Sequence, residues 1–115
     1  MGKRPLITIC VGHTAARPGA KAVSPLFIHE YEYNLDLAAI IHKTIFFDFD
    51  CEIVLRNGLL LDQVYRLIEN MKPVGNIELH FNSTNNPMAY GTETLCIDRW
   101  LPYASMIQAA LCDSL

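Results

Sequence analysis

Two histidines in this chain lie at the ends of predicted β-strands. His13 comes directly after LITICVG, and His80 comes directly after NIEL, with Asn82 two residues further on. Both segments are predicted to be strands because they are rich in apolar and β-branched residues and are bounded by turn residues. Parallel strands end at one edge of a sheet, where ligand sites gather. The pattern therefore predicts that the two imidazoles lie at the same edge.

Two imidazoles at such an edge could bind a metal ion. A catalytic zinc takes three protein ligands and keeps one open position, and two histidines with one glutamate are a recurrent set. The glutamate could be Glu30, Glu32 or Glu93, each near the end of a predicted element. Each residue also has a structural alternative. His13 could be a turn histidine, His80 a strand-end histidine packed against a helix, and Glu30 a helix N-terminal acid favoured by the macrodipole. His29 and His42 are assigned to structural roles.

The segments around these residues predict alternating strands and helices. Apolar residues at helical spacing predict helices over Tyr33 to Phe46 and Leu59 to Met71, and Pro102 begins a third. Strands are predicted at Leu6 to Val11, Cys51 to Asn57, Asn76 to Phe81 and Thr92 to Ile97. Chain breakers predict a long loop from Thr14 to about His29. This order predicts an α/β fold, layered α/β/α, with a mostly parallel twisted sheet of about four strands and three helices.

Composition excludes several classes of protein. The 115 residues fit a single domain, 1–115, with one hydrophobic core. The net charge is -3 and no basic stripe is present, so no nucleic-acid partner is expected. No apolar run approaches the roughly 20 residues of a membrane span, and no signal peptide is recognisable. The four cysteines form no C-x-x-C pair and are expected to be free thiols. Cys10, Cys51 and Cys96 are expected to be buried in strands, and Cys112 lies outside them.

Five segments together resemble the zinc-dependent N-acetylmuramoyl-L-alanine amidases of the type 3 family, which includes bacterial cell-wall amidases and phage endolysins. They follow the family's order and approximate spacing over nearly the whole chain: ICVGH (Ile9 to His13), EYEYNLDLA (Glu30 to Ala38), EIVLRN (Glu52 to Asn57), ELHFNS (Glu78 to Ser83) and GTETL (Gly91 to Leu95). The combination is more specific than any single motif. The resemblance implies hydrolysis of the amide between N-acetylmuramic acid and L-alanine in peptidoglycan.

The resemblance also implies roles for individual residues. The glycine-histidine pair ending at His13 is similar to the pair that provides the family's first zinc ligand. The second ligand is a glutamate four residues before an Asn-Leu pair, which selects Glu30. The family's Ser-Ile-His-x-Asn strand end is similar to Glu-Leu-His-Phe-Asn here, which implies His80 as the third ligand and Asn82 as a substrate-binding residue. The implied cofactor is Zn2+.

One part of the family pattern has no counterpart in this sequence. The family's acid/base glutamate lies on a later strand near a Gly-Phe-x-Ser-Asn segment, and this chain reaches Leu115 without it. We expect one of three explanations: the chain is a piece of a longer protein, Glu93 substitutes as the catalytic base, or the domain binds zinc and cell wall without turnover. A shortened sheet also has an open edge, which favours a homodimer.

The expected setting follows from the same resemblance. The partner is peptidoglycan, and without a signal peptide the protein is expected to be made in the cytoplasm and to act on the cell wall after release, as a phage lytic enzyme does. Two other interpretations remain open. One is a non-catalytic module that binds zinc or peptidoglycan, and the other is a metal-free α/β interaction domain in which both histidines are structural.

Overall fold

The computed structural model describes residues 2–22, 26–86 and 88–114. Its chain divides into two compact units, the first up to Ser83 and the second from Thr84. The first unit contains β1 (Leu6–Val11), α1 (Glu30–Ile45), β2 (Asp50–Leu55), α2 (Leu61–Met71) and β3 (Gly75–Leu79). The second contains a 3-10 helix (Asp98–Trp100) and α3 (Leu101–Ser114). The expected α/β class is confirmed, and the single-domain interpretation stays a prediction.

The three strands of the first unit form a parallel sheet with β1 at its centre. β2 and β3 flank β1, and the paired residues end with Val11 opposite both Leu55 and Leu79. Both edges of β1 are paired and both of its faces are covered, so Ile9 and Val11 have no exposed surface. Because all three strands run the same way, the residues that follow β1 and β3 emerge at one edge of the sheet, as predicted.

The two helices of the first unit cover opposite faces of this sheet. Successive side chains of a strand point to opposite faces, so alternate residues of β1 enter different cores. One core contains Ile9, Val11 and Ala38 of α1, and the other contains Cys10, Val54, and Val64 and Ile68 of α2. The predicted α/β/α layering is therefore present in the first unit.

Helix α1 begins at Glu30, earlier than the predicted start at Tyr33. The first N–H groups of a helix have no partner inside it, and here the preceding loop supplies their acceptors. The backbone N–H groups of Glu30 and Tyr31 donate to the carbonyls of Ala20 and Pro18 at 2.8 and 2.9 Å. This early start places Glu30 in the first helical turn, beside the loop. Residues 23–25 of the predicted loop lie outside the described residues.

The fourth strand predicted at Thr92 to Ile97 is wrong. In the described part of the second unit, residues 92–97 belong to no strand. The side chain of Gln108 in α3 instead donates to the Thr92 carbonyl and accepts from the Thr94 hydroxyl, both at 2.8 Å. Strand propensity mainly reflects packing on a pleated neighbour, and this segment meets a helix side chain. The four thiols are free as expected, but Cys96 is exposed and Cys51 is only partly buried.

Strands β2 and β3 lie at the two edges of the described sheet. A homodimer through such an edge stays a prediction.

Among the helices of residues 2–22, 26–86 and 88–114, none combines the length and the apolar character that crossing a membrane requires.

Candidate metal centre

His13 lies in the turn that follows β1. Gly12 continues the pairing with β3, since its N–H donates to the Leu79 carbonyl at 3.4 Å. His13 then adopts a left-handed backbone conformation, with φ of 67°. A non-glycine residue at positive φ is uncommon and histidine is among the more tolerant types. The turn leaves the imidazole at the carboxyl edge of the sheet, with about a third of its side chain exposed.

Glu30 is the buried centre of the site, with 2% of its surface exposed. Its Oε1 atom accepts the Phe81 backbone N–H at 2.9 Å, and its Oε2 atom accepts the Ala20 N–H at 3.0 Å. One carboxylate therefore joins the start of α1 to the segment after β3 and to the loop before α1. A buried carboxylate needs such partners because an unpaired charge is costly to bury.

His80 follows β3 and faces a carboxylate on each side of its ring. Its Nδ1 atom lies 3.1 Å from Oε1 of Glu30, and its Nε2 atom lies 2.8 Å from Oε1 of Glu78. His13 approaches the same Glu30 oxygen, with its Nε2 atom at 3.2 Å. The two imidazole rings are 5.6 Å apart and nearly perpendicular. The predicted trio of His13, Glu30 and His80 is thus brought together by the fold, with one ligand atom from each within 4.8 Å of the others.

Two glycines make room for these side chains. A Cβ atom on Gly12 would lie 2.3 Å from Cε1 of His80, so the imidazole occupies the space that any other residue would fill. A Cβ atom on Gly19 would lie 2.6 Å from Oε2 of Glu30 and 2.7 Å from the His13 ring, and Gly19 has φ of 78°. The close packing of the trio therefore depends on glycine at both positions.

The local charges favour the ionised forms of Glu30 and His80. Burial alone would raise the pKa of Glu30, but hydrogen bonds from the Phe81 and Ala20 backbone and from His80, with the nearby His13, hold it below its usual range. Burial opposes the charged form of His80, but hydrogen bonds to Glu78 and Glu30 raise the pKa of His80 above its ordinary value. A carboxylate on either side of one imidazole is the reason.

The donor set and two of its three spacings fit a zinc ion. In a tetrahedral site with bonds of about 2.0–2.1 Å, ligand atoms lie roughly 3.3 Å apart. The distances from Oε1 of Glu30 to the nearest nitrogens of His13 and His80, 3.2 and 3.1 Å, are close to that value. A metal ion held there would replace the proton between His80 and Glu30. The assignment of His13, Glu30 and His80 as metal ligands stays a prediction.

The other residues considered for the site have different positions. Glu32 lies exposed in the first turn of α1 and is not part of the trio. Asn82 lies in the first unit, two residues after His80, and Glu93 lies in the second unit, in the irregular segment before the 3-10 helix. His29 precedes α1, where it forms an isolated bridge with Lys21. His42 is within α1, away from the helix start.

Glu78 and Gly19 contribute to the site and were not predicted from the sequence. The signal for Glu78 is its spacing from His80, because residues i and i+2 of an extended segment point to the same side. Gly19 is one of the chain breakers that predict the loop from Thr14 to about His29, and this pattern gives it no further role. Its close approach to Glu30 and His13 depends on how this loop folds back on the start of α1, which no local pattern reports.

The fold of the chain is an α/β fold similar to that of an amidase catalytic domain. One solved structure with this fold is the catalytic domain of CwlV, an N-acetylmuramoyl-L-alanine amidase from Bacillus (Paenibacillus) polymyxa var. colistinus. The TM-score is 0.76 at 24% sequence identity, and the match covers 91% of this chain and 61% of that domain. No protein-family profile matches the sequence. No curated protein matches it either. The likeness confirms the expected fold.

Proposed function

We propose that the chain is a zinc-dependent amidase domain that hydrolyses the bond between N-acetylmuramic acid and L-alanine in peptidoglycan. The observation that carries the proposal is the convergence of His13, Glu30 and His80 at the carboxyl edge of a parallel sheet. The shared fold with an amidase catalytic domain supports it. The chain spans 61% of that domain, so the substrate and the activity enter here as parts of the proposal.

The three side chains would hold the ion in the proposed enzyme. His13 and His80 each present a ring nitrogen, and Glu30 presents the oxygen that both nitrogens already approach. When bound, zinc supplies polarisation of the scissile carbonyl and a water of lowered pKa. Glu30 is held by two backbone N–H groups, so its carboxylate is oriented before any ligand arrives. Asn82, close along the chain to His80, is proposed to bind substrate.

The reaction also needs a group that accepts a proton and passes it to the leaving amine. Glu30 and Glu78 are both hydrogen-bonded to His80 and are therefore committed to holding that ring. We propose Glu93 for the acid/base role. A second candidate function is binding of zinc or peptidoglycan without turnover. It is favoured because Glu30 and Glu78 are both hydrogen-bonded to His80 and neither carboxylate is available as the acid/base.

The test is release of new L-alanine amino termini from purified peptidoglycan by the zinc-loaded protein. We expect His80→Ala to abolish release and His42→Ala, a histidine of α1 outside the trio, to retain it. If Glu93 is the acid/base, Glu93→Gln lowers the rate by about 10²–10⁴-fold. Release that survives His80→Ala would contradict the metal-centre mechanism. A wild-type protein that binds zinc and sediments with peptidoglycan but releases nothing would favour the binding module.

The proposed setting is the bacterial cell wall, reached after release from the cytoplasm in which the protein is made, as in a phage lytic system. This setting rests on the proposed function. Secretion of the intact chain from growing bacteria, measured in the culture medium before any lysis, would contradict it.

A further inference from the structure

The far side of the His80 ring is occupied by a carboxylate outside the predicted metal trio. Oε1 of Glu78 lies 2.8 Å from Nε2 of His80, the shortest of the three contacts between an imidazole and a carboxylate at the site. Glu78 is in β3, and its side chain is one-quarter exposed while that of His80 is nearly half exposed. The shortest of these contacts is therefore made by the ring nitrogen that does not face Glu30.

Glu78 is itself fixed from a second direction. The hydroxyl of Tyr65 in α2 donates to Oε2 of Glu78 at 3.1 Å. Both carboxylate oxygens are thus engaged, one by a helix that covers the sheet and the other by the imidazole. The backbone of Glu78 belongs to the paired part of β3, opposite Cys10. A strand and a helix together determine where this carboxylate lies.

Such a carboxylate decides which nitrogen of the imidazole carries a proton. A neutral histidine has one N–H and one free lone pair, and the hydrogen bond of one nitrogen sets the state of the other. If a metal ion takes the place of the proton between His80 and Glu30, Nε2–H still donates to Glu78, and the lone pair of Nδ1, the atom 3.1 Å from Glu30, is the one that faces the ion. Gly12 restricts the ring further, because the imidazole lies against its Cα with no room for a Cβ.

We propose that Glu78 is a positioning residue that holds His80 with Nδ1 toward the metal ion and Nε2 protonated. The inference rests on the proposed metal centre and deepens it. Carboxylates that accept the second N–H of a metal-binding histidine fix the orientation of the ring and raise its basicity, and their removal typically costs about 10–100-fold in metal affinity. The carboxylate of Glu78 has the same relation to His80.

The test compares zinc affinity in purified variants by competition with a chelator. We expect Glu78→Ala to weaken zinc binding by about 10–100-fold and Glu78→Gln, which keeps an oxygen acceptor for Nε2–H, to recover most of that loss. Glu52→Ala removes another exposed strand carboxylate and should leave the affinity unchanged. Equal affinities for Glu78→Ala and Glu52→Ala would overturn the inference.

A second measurement needs no variant and remains informative if Glu78→Ala folds poorly. Long-range proton–nitrogen NMR spectra of the zinc-loaded wild-type protein should show metal on Nδ1 and a proton on Nε2 of His80. Zinc on Nε2 would overturn the proposed role of Glu78, and a wild-type protein without zinc affinity would overturn the metal centre and this role together. Zinc binding that depends on Glu78 in a chain that releases no alanine termini would support this inference and contradict the amidase.

Discussion

The two units of the chain hold their polar segments in different ways. In the first unit, parallel strand pairing brings His13 and His80 to one edge, and Glu30 is then fixed by two backbone N–H groups. In the second unit, the described residues 84–86 and 88–97 belong to no helix or strand, and the side chain of Gln108 in α3 bonds to Thr92 and Thr94 on either side of Glu93. Strand pairing therefore positions the polar residues of the first unit, and a helix side chain contributes to positioning those of the second.

The largest effect is expected where the first unit concentrates its contacts. Glu30→Ala removes a proposed metal ligand and leaves the backbone N–H groups of Ala20 and Phe81 without their acceptor. At about 1–3 kcal/mol for each unsatisfied donor, the free energy of unfolding, measured without added zinc, should fall by about 2–6 kcal/mol. Zinc binding should be lost as well. Urea denaturation and chelator competition measure the two effects.

Glu32→Ala is the matched control for this change, since Glu32 is an exposed acid in the same helical turn. The lowered pKa of Glu30 adds a pH dependence with a definite sign. Its stabilisation is present above the usual carboxyl range and is lost as the pH falls through the lowered pKa. Identical urea midpoints for the alanine variants at positions 30 and 32 would contradict the central role of Glu30.

A thiol in each unit extends the comparison to alkaline pH. Burial, with the nearby charge of Glu78, raises the pKa of Cys10 from 9.0 to about 11. The folded protein therefore keeps this proton between those values while the unfolded chain loses it, so stability falls as the pH rises from 9 toward 11. The loss attributable to Cys10 should reach about 2 kcal/mol. Cys112 of α3 is exposed and is the control.

The measurement is urea denaturation between pH 8 and 11 under reducing conditions. Cys10→Ala should show a shallower decline in stability with pH than the wild type, and Cys112→Ala should follow the wild-type slope. Removal of a buried thiol also lowers the absolute stability, so the slopes and not the midpoints are compared. Parallel slopes for all three proteins would contradict the raised pKa of Cys10.

The smallest effect is expected in the second unit. Gln108→Ala removes the side chain that donates to Thr92 and accepts from Thr94. The free energy of unfolding is expected to fall by about 1 kcal/mol. The change should appear as faster hydrogen exchange in residues 92–94, with the amides of β1 unaffected. Asp113→Ala, in the same helix, serves as the control. Unchanged exchange around Glu93 would show that Gln108 does not hold this segment.

The fold was predictable where local pattern and long-range pairing agree. β1 was predicted with its observed bounds, Leu6–Val11, because its apolar residues are buried on both faces of the sheet. The segment at Thr92 to Ile97 carries β-branched residues as well, but a strand also needs a partner, which composition does not provide. The early start of α1 depends on hydrogen bonds from Glu30 and Tyr31 to carbonyls of the loop that precedes the helix, and no helical periodicity reports those.

The candidate site was predictable to a similar depth. The placement of His13 and His80 follows from parallel strands, and the choice of Glu30 over Glu32 came from the family resemblance. Helical spacing alone could not make that choice, because both acids lie in the first turn. The roles of Glu78 and Gly19 depend on which atoms meet after folding, and these meetings involve side-chain directions that sequence spacing only partly constrains.

The loop before α1 is anchored almost entirely through its main chain. Thr14 and Arg17 exchange backbone hydrogen bonds, and the carbonyls of Pro18 and Ala20 accept from the start of α1. Gly19 has φ of 78° and close neighbours that exclude other residues, and the Thr14 hydroxyl accepts the Arg17 N–H at 3.1 Å. Ala15 and Ala16 are exposed between these contacts. Because main-chain bonds determine the course of this stretch, substitutions at Ala15 and Ala16 are expected to leave the sheet edge unchanged, as loops tolerate change on a constant framework.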